Sequence, residues 1–170
     1  VDDGSRDDTY KIAKSNNVMV LKHVINLGKG AALKTGCDYA VKEGAENIVV
    51  LDADAQHDPN EIPHFLEKLE DCDIVFGYRK GNKKMPAIMR FGNWFISKVI
   101  GFLYSIDLKD TQSGFRAFTS ETYKKIRWNA TDYSMESEMI VNAGRHELNY
   151  TEVPIRTIYS DKYKGTTIID

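Results

Sequence analysis

Residues 49–58 read VVLDADAQHD, a run of β-branched and aliphatic residues that stops at closely spaced carboxylates. Together with the two residues before it, the run NIVVL at 47–51 is short and continuously apolar, the mark of a strand covered on both faces. Working outward, residues 31–43 (AALKTGCDYAVKE) place Ala32, Leu33, Gly36, Tyr39 and Ala40 at helical spacing, residues 7–16 suit a short helix, and VMVLK at 18–22 suits a strand. On the other side, Pro59 opens a helix carrying Ile62, Phe65, Leu66 and Leu69, and DIVFGY at 73–78 is a further strand. Strands alternating with helices predict an α/β fold of three layers around a mainly parallel sheet with right-handed crossovers. Ligands of such sheets bind at the carboxyl edge of the strands, where VVLDADAQHD lies.

Asp52 and Asp54 are one residue apart, so extended backbone points both to one side, with Gln56 following them. Carboxylates that close repel unless a hard divalent cation, Mg²⁺ or Mn²⁺, takes them as oxygen ligands. An EF-hand is ruled out, because His57 stands where its glycine belongs and Pro63 where its bidentate glutamate belongs. A solvated acidic turn, with Asp58 capping the helix that starts near Pro59, is the structural alternative. In VDDGS at the start, Ser5 or Asp7 suits a helix cap, whereas Asp3 suits an acceptor for a base or ribose hydroxyl at the sheet edge. NLGKGAALKTG lacks the order of a P-loop, although Lys29 near a helix start can face a nucleotide.

The 170 residues, 42% of them hydrophobic, suffice for one domain spanning 1–170, and a net charge of −2 argues against a general nucleic-acid binder. Between Asp73 and Asp107 there is no acidic residue, while Arg79, Lys80, Lys83, Lys84, Arg90 and Lys98 fall in that window. From residue 85 the stretch MPAIMRFGNWFISKVIGFLYSI is apolar on more than one face. DTQSGFRAF at 110–118 then reads as a loop entering a strand, followed by helices near 120–126 and 134–145 and a strand-like LNYTEVPIRTIY. Cys37 and Cys72 form no CxxC, so a reducing compartment is expected, and no apolar run approaches the roughly 20 residues of a membrane span. Because the chain opens on Val1 and a strand end, an N-terminal strand is expected to be missing.

VDDGS, NLGKGAALKTG, VVLDADAQHDP, FGYR and DTQSGFRAF, in that order and covering nearly all of the chain, resemble the inverting family 2 glycosyltransferases of the GT-A fold. Within that family the sequence is most similar to dolichyl-phosphate and polyprenyl-phosphate sugar transferases. The family's first-strand motif of the VIPAYNE type and the QxxRW signature of processive synthases are absent. The resemblance implies a UDP- or GDP-sugar donor bound by Asp3, Lys29 and Asp52, with Asp52, Asp54 and Gln56 around Mg²⁺ or Mn²⁺ on the diphosphate. It implies an acceptor polyprenyl or dolichyl phosphate held by Arg79, Arg90 and Ser113. Asp54, Asp110 and Arg116 are then the catalytic candidates, Asp110 as a sugar-hydroxyl contact or base and Arg116 as a phosphate contact. Phe91, Trp94, Phe95 and their apolar neighbours would lie on lipid, placing the enzyme peripherally on the cytoplasmic face of a membrane; a core or dimer helix is the alternative.

Other functions compete with the lipid-phosphate reading. One is a soluble family 2 enzyme acting on a carbohydrate or protein hydroxyl. Another is a metal phosphohydrolase of the DxD type, disfavoured by Gln56 at the position two residues after the second aspartate. A nucleotide-binding module without turnover is the last. Glu136 and Glu138 suit a helix N-terminus, and for Glu138 a pocket role stands level with that. His57 adjoins the acidic motif, while His23, His64 and His146 suit surface or satisfied positions.

Overall fold

The apolar run at 47–51 forms β1 (Asn47–Val50), and the other β elements that position the carboxyl edge are β2 (Ile74–Arg79), β3 (Arg116–Thr119) and β4 (Tyr150–Ile155). The structure, a computed structural model, describes residues 1–79, 101, 104, 106–156 and 158. Its helices are α1 (Thr9–Ser15), α2 (Lys29–Lys42), α3 (Ile62–Leu69), α4 (Ser120–Ile126) and α5 (Met135–Arg145), with a 3₁₀ turn at Pro59–Glu61 leading into α3. Asp58 caps that turn as expected, its side chain accepting from the Asn60 N–H at 3.0 Å.

The four strands lie in the order β1-β3-β2-β4. β4 runs parallel to β2, with Ile74 beside Tyr150 and Arg79 beside Ile155, whereas β3 is antiparallel to both of its neighbours. Three strands thus share a direction and β3 runs against them. The antiparallel strand has a direct consequence for the site. β3 is entered from the DTQSG loop, so that loop and Arg116 stand at the same edge as the carboxyl ends of β1 and β2. In the register, Val50 and Phe76 both face Arg116.

Side-chain alternation sends β-residues to two separate cores, as a sheet covered on both faces requires. Ile48, Val50, Ile74, Phe76 and Phe118 pack with Cys37 of α2, Tyr123 and Ile126 of α4, and Met139 and Ile140 of α5. Val75, Phe115, Ala117, Val153 and Ile155 pack with Phe65 and Leu69 of α3. The strand expected at 18–22 is reduced to one parallel bridge between Lys22 and Asp2, flanked by the bonds Asp2 N–H to Leu21 C=O (2.8 Å) and His23 N–H to Asp2 C=O (2.9 Å). Val18 and Met19 are exposed there, so neither contributes the apolar burial that a longer strand would need. The apolar stretch from 85 and Arg90 within it lie outside the described residues, apart from Gly101, Tyr104 and Ile106. Among the described residues no helix is long and apolar enough to cross a membrane.

Cys37 sits on the inner face of α2, 2% exposed, and burial pushes its thiol up to about 12. Because thiol reactivity follows the thiolate, only about one molecule in 10⁴ would be ionised there at pH 8. In a Cys72→Ser background, Cys37 should therefore resist Ellman's reagent at pH 8 and react only as urea unfolds the protein. Prompt labelling without denaturant would show that α2 opens locally.

Candidate active site

Beyond Val50 the chain leaves the sheet and turns sharply. Ala55 adopts φ 64°, in the left-handed region uncommon for residues with a Cβ. That bend folds Gln56 back, and its N–H and Nε2 donate to the two oxygens of Asp54 at 3.0 and 2.7 Å. The Asp52 N–H donates to Nδ1 of buried His57 at 3.1 Å, so the imidazole carries its proton on Nε2 when neutral. Burial holds His57 below its ordinary range against the opposing pull of Asp52 and Asp54. Its ring lies 5.2 Å from that of Phe115. His57 thus fixes the backbone of the acidic turn from beneath.

Asp52 and Asp54 line one cleft of about 340 Å³ together with Gln56, Lys29, Arg79 and Ser113. Lys29 arrives from the first turn of α2 and its Nζ lies 2.8 Å from both Asp52 Oδ1 and Glu136 Oε1. Burial alone would lower the Lys29 ammonium, but Glu136 and Asp52 outweigh it and raise it. The glycines beside Lys29 serve packing. A Cβ on Gly28 would come within 2.4 Å of the Thr131 carbonyl oxygen, and one on Gly30 within 2.4 Å of that of Ala130. The Gly30 N–H donates to Thr131 C=O at 2.7 Å, so the start of α2 is already engaged by the 130–131 loop.

Glu136, not Glu138, reaches the cleft. Glu138 instead accepts from the Asn129 and Ala130 N–H groups at 3.0 and 2.9 Å, pinning the loop before α5. The sequence did carry a signal for Glu136. It falls on the helical face of Met139, Ile140 and Ala143, a stripe otherwise apolar and buried, and an acid on such a stripe needs a partner.

On the opposite wall, Arg79 at the end of β2 grips Asp110 with a two-pronged fork, Nε to Oδ2 at 2.6 Å and Nη2 to Oδ1 at 2.9 Å. The Arg79 N–H adds a bond to Oδ2 at 3.3 Å and the Gln112 N–H one to Oδ1 at 3.1 Å. Ser113 is buried at the cleft wall, and its Oγ accepts from the Phe115 N–H at 3.4 Å. Gly114 makes room for Asp52, since a Cβ there would stand 2.6 Å from Asp52 Oδ2.

Arg116 and Asp3 both have protein partners. Arg116 is only 2% exposed and stands behind the cleft wall, donating to the carbonyls of Ser113 (3.1 Å), Thr111 (3.0 Å) and Glu136 (3.1 Å). Burial lowers its guanidinium to about 10, opposed by Glu136, Asp110 and Asp52, and it stays charged at neutral pH. Asp3 is outside the cleft lining and receives the Leu27 and Gly28 N–H groups at 2.9 Å each, with His23 Nδ1 at 2.7 Å. His23 is thereby a satisfied histidine, its Nε2 lying 2.9 Å from Thr35 Oγ1. Burial would raise the Asp3 carboxyl, but those bonds prevail and hold it below the usual carboxylate range. Neither position could be read from sequence, because Asp3 is held by a loop more than 20 residues away and Arg116 joins its own loop to helix α5, 20 residues on.

Charge decides what the cleft can hold. Around it stand two cations, Lys29 and Arg79, against four carboxylates, Asp52, Asp54, Glu136 and the Arg79 partner Asp110. With the buried Arg116 behind the wall counted as well, the carboxylates among the described residues exceed the cations by one. Among the described residues no group of three or more His, Cys, Asp or Glu side chains forms a closed metal cage. The open arrangement fits a cation of the Mg²⁺ type, which takes one or two carboxylates and fills its remaining positions with water and substrate phosphates.

Comparison with known proteins agrees with this chemistry. The chain is 34% identical to the UDP-N-acetylglucosamine–dolichyl-phosphate N-acetylglucosaminyltransferase of Methanococcus voltae, over 99% of this chain and 78% of that one. It is 29% identical to the undecaprenyl-phosphate mannosyltransferase of Micrococcus luteus, over 91% of this chain and 69% of that one. Among solved structures, glucosyl-3-phosphoglycerate synthase of Mycobacterium tuberculosis, crystallised with Mn²⁺ and UDP-glucose, superposes with a TM-score of 0.71 at 19% identity, which shows the shared fold. The match covers 96% of this chain, and the chain spans 60% of that structure's length. The sequence model of glycosyl transferase family 2 matches residues 1–136, and the chain belongs to that family of nucleotide-sugar-dependent glycosyltransferases.

Proposed function

We propose that this chain transfers a sugar, with inversion, from a UDP- or GDP-sugar to a polyprenyl or dolichyl phosphate, working peripherally on the cytoplasmic face of a membrane. The observation that carries the reading is the joining of two chemistries in one cleft: the Asp52 and Asp54 carboxylates, which suit a divalent cation, and the Lys29 and Arg79 side chains, which suit phosphate. The relatives support the acceptor, since the Methanococcus voltae and Micrococcus luteus enzymes are named for dolichyl and undecaprenyl phosphate.

In this mechanism Asp52 and Asp54, with the Gln56 side chain, would hold Mg²⁺ or Mn²⁺. When bound, the cation supplies a Lewis acid for the charge that builds on the departing nucleoside diphosphate. Lys29 adds a positive charge beside Asp52, and His57 keeps the acidic turn in place through the Asp52 N–H. On the acceptor side Arg79 presents its guanidinium at the end of β2, with Ser113 beside it and Arg90 as a second candidate. Asp110 orients Arg79, and with both oxygens engaged it is poorly placed to take a proton. A phosphate acceptor needs none taken, being already ionised at neutral pH. That favours the lipid phosphate over a hydroxyl acceptor. Arg116 acts by position, tying the DTQSG loop to α5 so that the two walls keep their spacing. Asp3 acts likewise on the loop that delivers Lys29.

The test is to incubate the purified protein with UDP-glucose, UDP-N-acetylglucosamine or GDP-mannose, plus undecaprenyl phosphate and Mn²⁺. A glycolipid whose formation stops on adding EDTA is the expected product. Transfer to a soluble sugar as efficient as transfer to the lipid would replace this reading with the hydroxyl-acceptor one.

A further inference from the structure

Tyr133 is an aromatic side chain left 61% exposed, yet it lines the cleft, and Lys29 Nζ stands 5.5 Å from its ring centroid. It is not on a loose loop. Thr131 C=O accepts from the Gly30 N–H, Glu138 holds Asn129 and Ala130, and Asp132 Oδ1 accepts the Ser134 N–H at 2.9 Å. An aromatic ring on a backbone held at both sides and facing an open cleft is a ready platform for another flat, partly apolar surface.

Glu136, three residues on, has the complementary property. The side chain is 3% exposed on the residue scale, Oε1 is taken by Lys29, and Oε2 finds no hydrogen-bond donor among the described residues. A buried carboxylate oxygen without a donor carries an uncompensated desolvation cost, which a ligand donor would relieve. Glu136 also lines a recess of about 10 Å³ that shares Lys29, Asp52 and Gly114 with the main cleft. That is close to the space of one water or one hydroxyl group.

Resting on the transferase reading above, we propose that Tyr133 and Glu136 form the subsite for the sugar ring of the donor. The C–H face of the hexose lies on the Tyr133 ring, and one sugar hydroxyl enters the recess and donates to Glu136 Oε2. A hexose is the ligand class that carries both features, an apolar face and hydroxyl donors around its edge. The position is apt, since Lys29 links Glu136 to Asp52 and so joins this subsite to the proposed diphosphate end. Recognition here would select the sugar and leave the nucleotide to other residues.

The experiment compares each nucleotide sugar with its bare nucleotide. Dissociation constants of UDP, GDP, UDP-glucose, UDP-N-acetylglucosamine and GDP-mannose are measured by calorimetry with Mg²⁺ for wild type, Tyr133→Ala, Tyr133→Phe and Glu136→Gln. For the nucleotide sugar that wild type binds, Tyr133→Ala should weaken binding about tenfold and Tyr133→Phe should restore it. Glu136→Gln should weaken it about tenfold as well, while the bare nucleotide moves less than about twofold in the two Tyr133 variants. Equal losses for sugar-bearing and bare nucleotide, or no loss in Tyr133→Ala, would overturn the subsite and leave the transferase reading standing. If wild type binds no nucleotide at all, the transferase reading fails and the subsite with it. Should Glu136→Gln fail to fold, the exposed Tyr133 series still decides.

Discussion

Asp54→Ala should abolish sugar transfer, by about 10³-fold or more, in a protein that remains folded. The size of the loss follows from the task assigned to Asp54. A departing nucleoside diphosphate accumulates charge in the transition state, and a group that holds the neutralising cation acts on that charge directly. The survival of the fold follows from where Asp54 stands. It is exposed, and among the described residues its hydrogen bonds come from the N–H and side chain of Gln56, two residues away. No core residue leans on it, so the melting temperature should move by only a few degrees, as for other surface substitutions. The check is glycolipid formation alongside thermal unfolding and Mn²⁺ binding by electron paramagnetic resonance. Transfer retained within tenfold of wild type would remove Asp54 from the metal set.

Arg116→Ala should instead destabilise the protein by about 3–5 kcal/mol. The side chain is buried, its guanidinium 5.4 Å from the Phe76 ring, and three backbone carbonyls from two segments converge on it. Truncation removes one donor from each of those carbonyls, opens a cavity, and strips Glu136 of a nearby positive charge. Against the 5–15 kcal/mol typical of a domain, about 4 kcal/mol is a large share, enough to lower the melting temperature by roughly 10 °C. Arg116→Lys should recover little, because a single ammonium cannot span three carbonyls that a planar fork reaches together. Urea unfolding of the two variants checks this. A loss under about 1 kcal/mol for Arg116→Ala would mean that the carbonyls find other donors and that the loop does not depend on the guanidinium.

These expectations differ because of where each residue lies, and only part of that was legible beforehand. Residue pattern alone located nearly every element: the apolar run at 47–51, the helical spacing at 31–43, the proline-led helix at 59–69 and the acidic turn at the strand end all stand where local rules place them. Such features depend on neighbours within a few residues, and local physics settles them. The strand expected at 18–22 did not form, because a strand exists only through a partner and Lys22 finds just Asp2.

What the tertiary structure decided is which charges meet. That β3 runs against its neighbours, bringing the DTQSG loop to the edge of β1 and β2, depends on the path of the chain between strands. Lys29 meets Glu136 across 107 residues, and Arg79 meets Asp110 across 31. A salt bridge of that kind leaves no periodic trace in either partner's own segment. Thus the acid pair was readable as a candidate cation site from its spacing and Glu136 as an acid in need of a partner from its apolar helix face, whereas the burial of Arg116, the capture of Asp110 and the choice of Lys29 as the Glu136 partner were not. Coulombic and hydrogen-bonding partners are chosen by distance in space, and distance in space is what folding supplies.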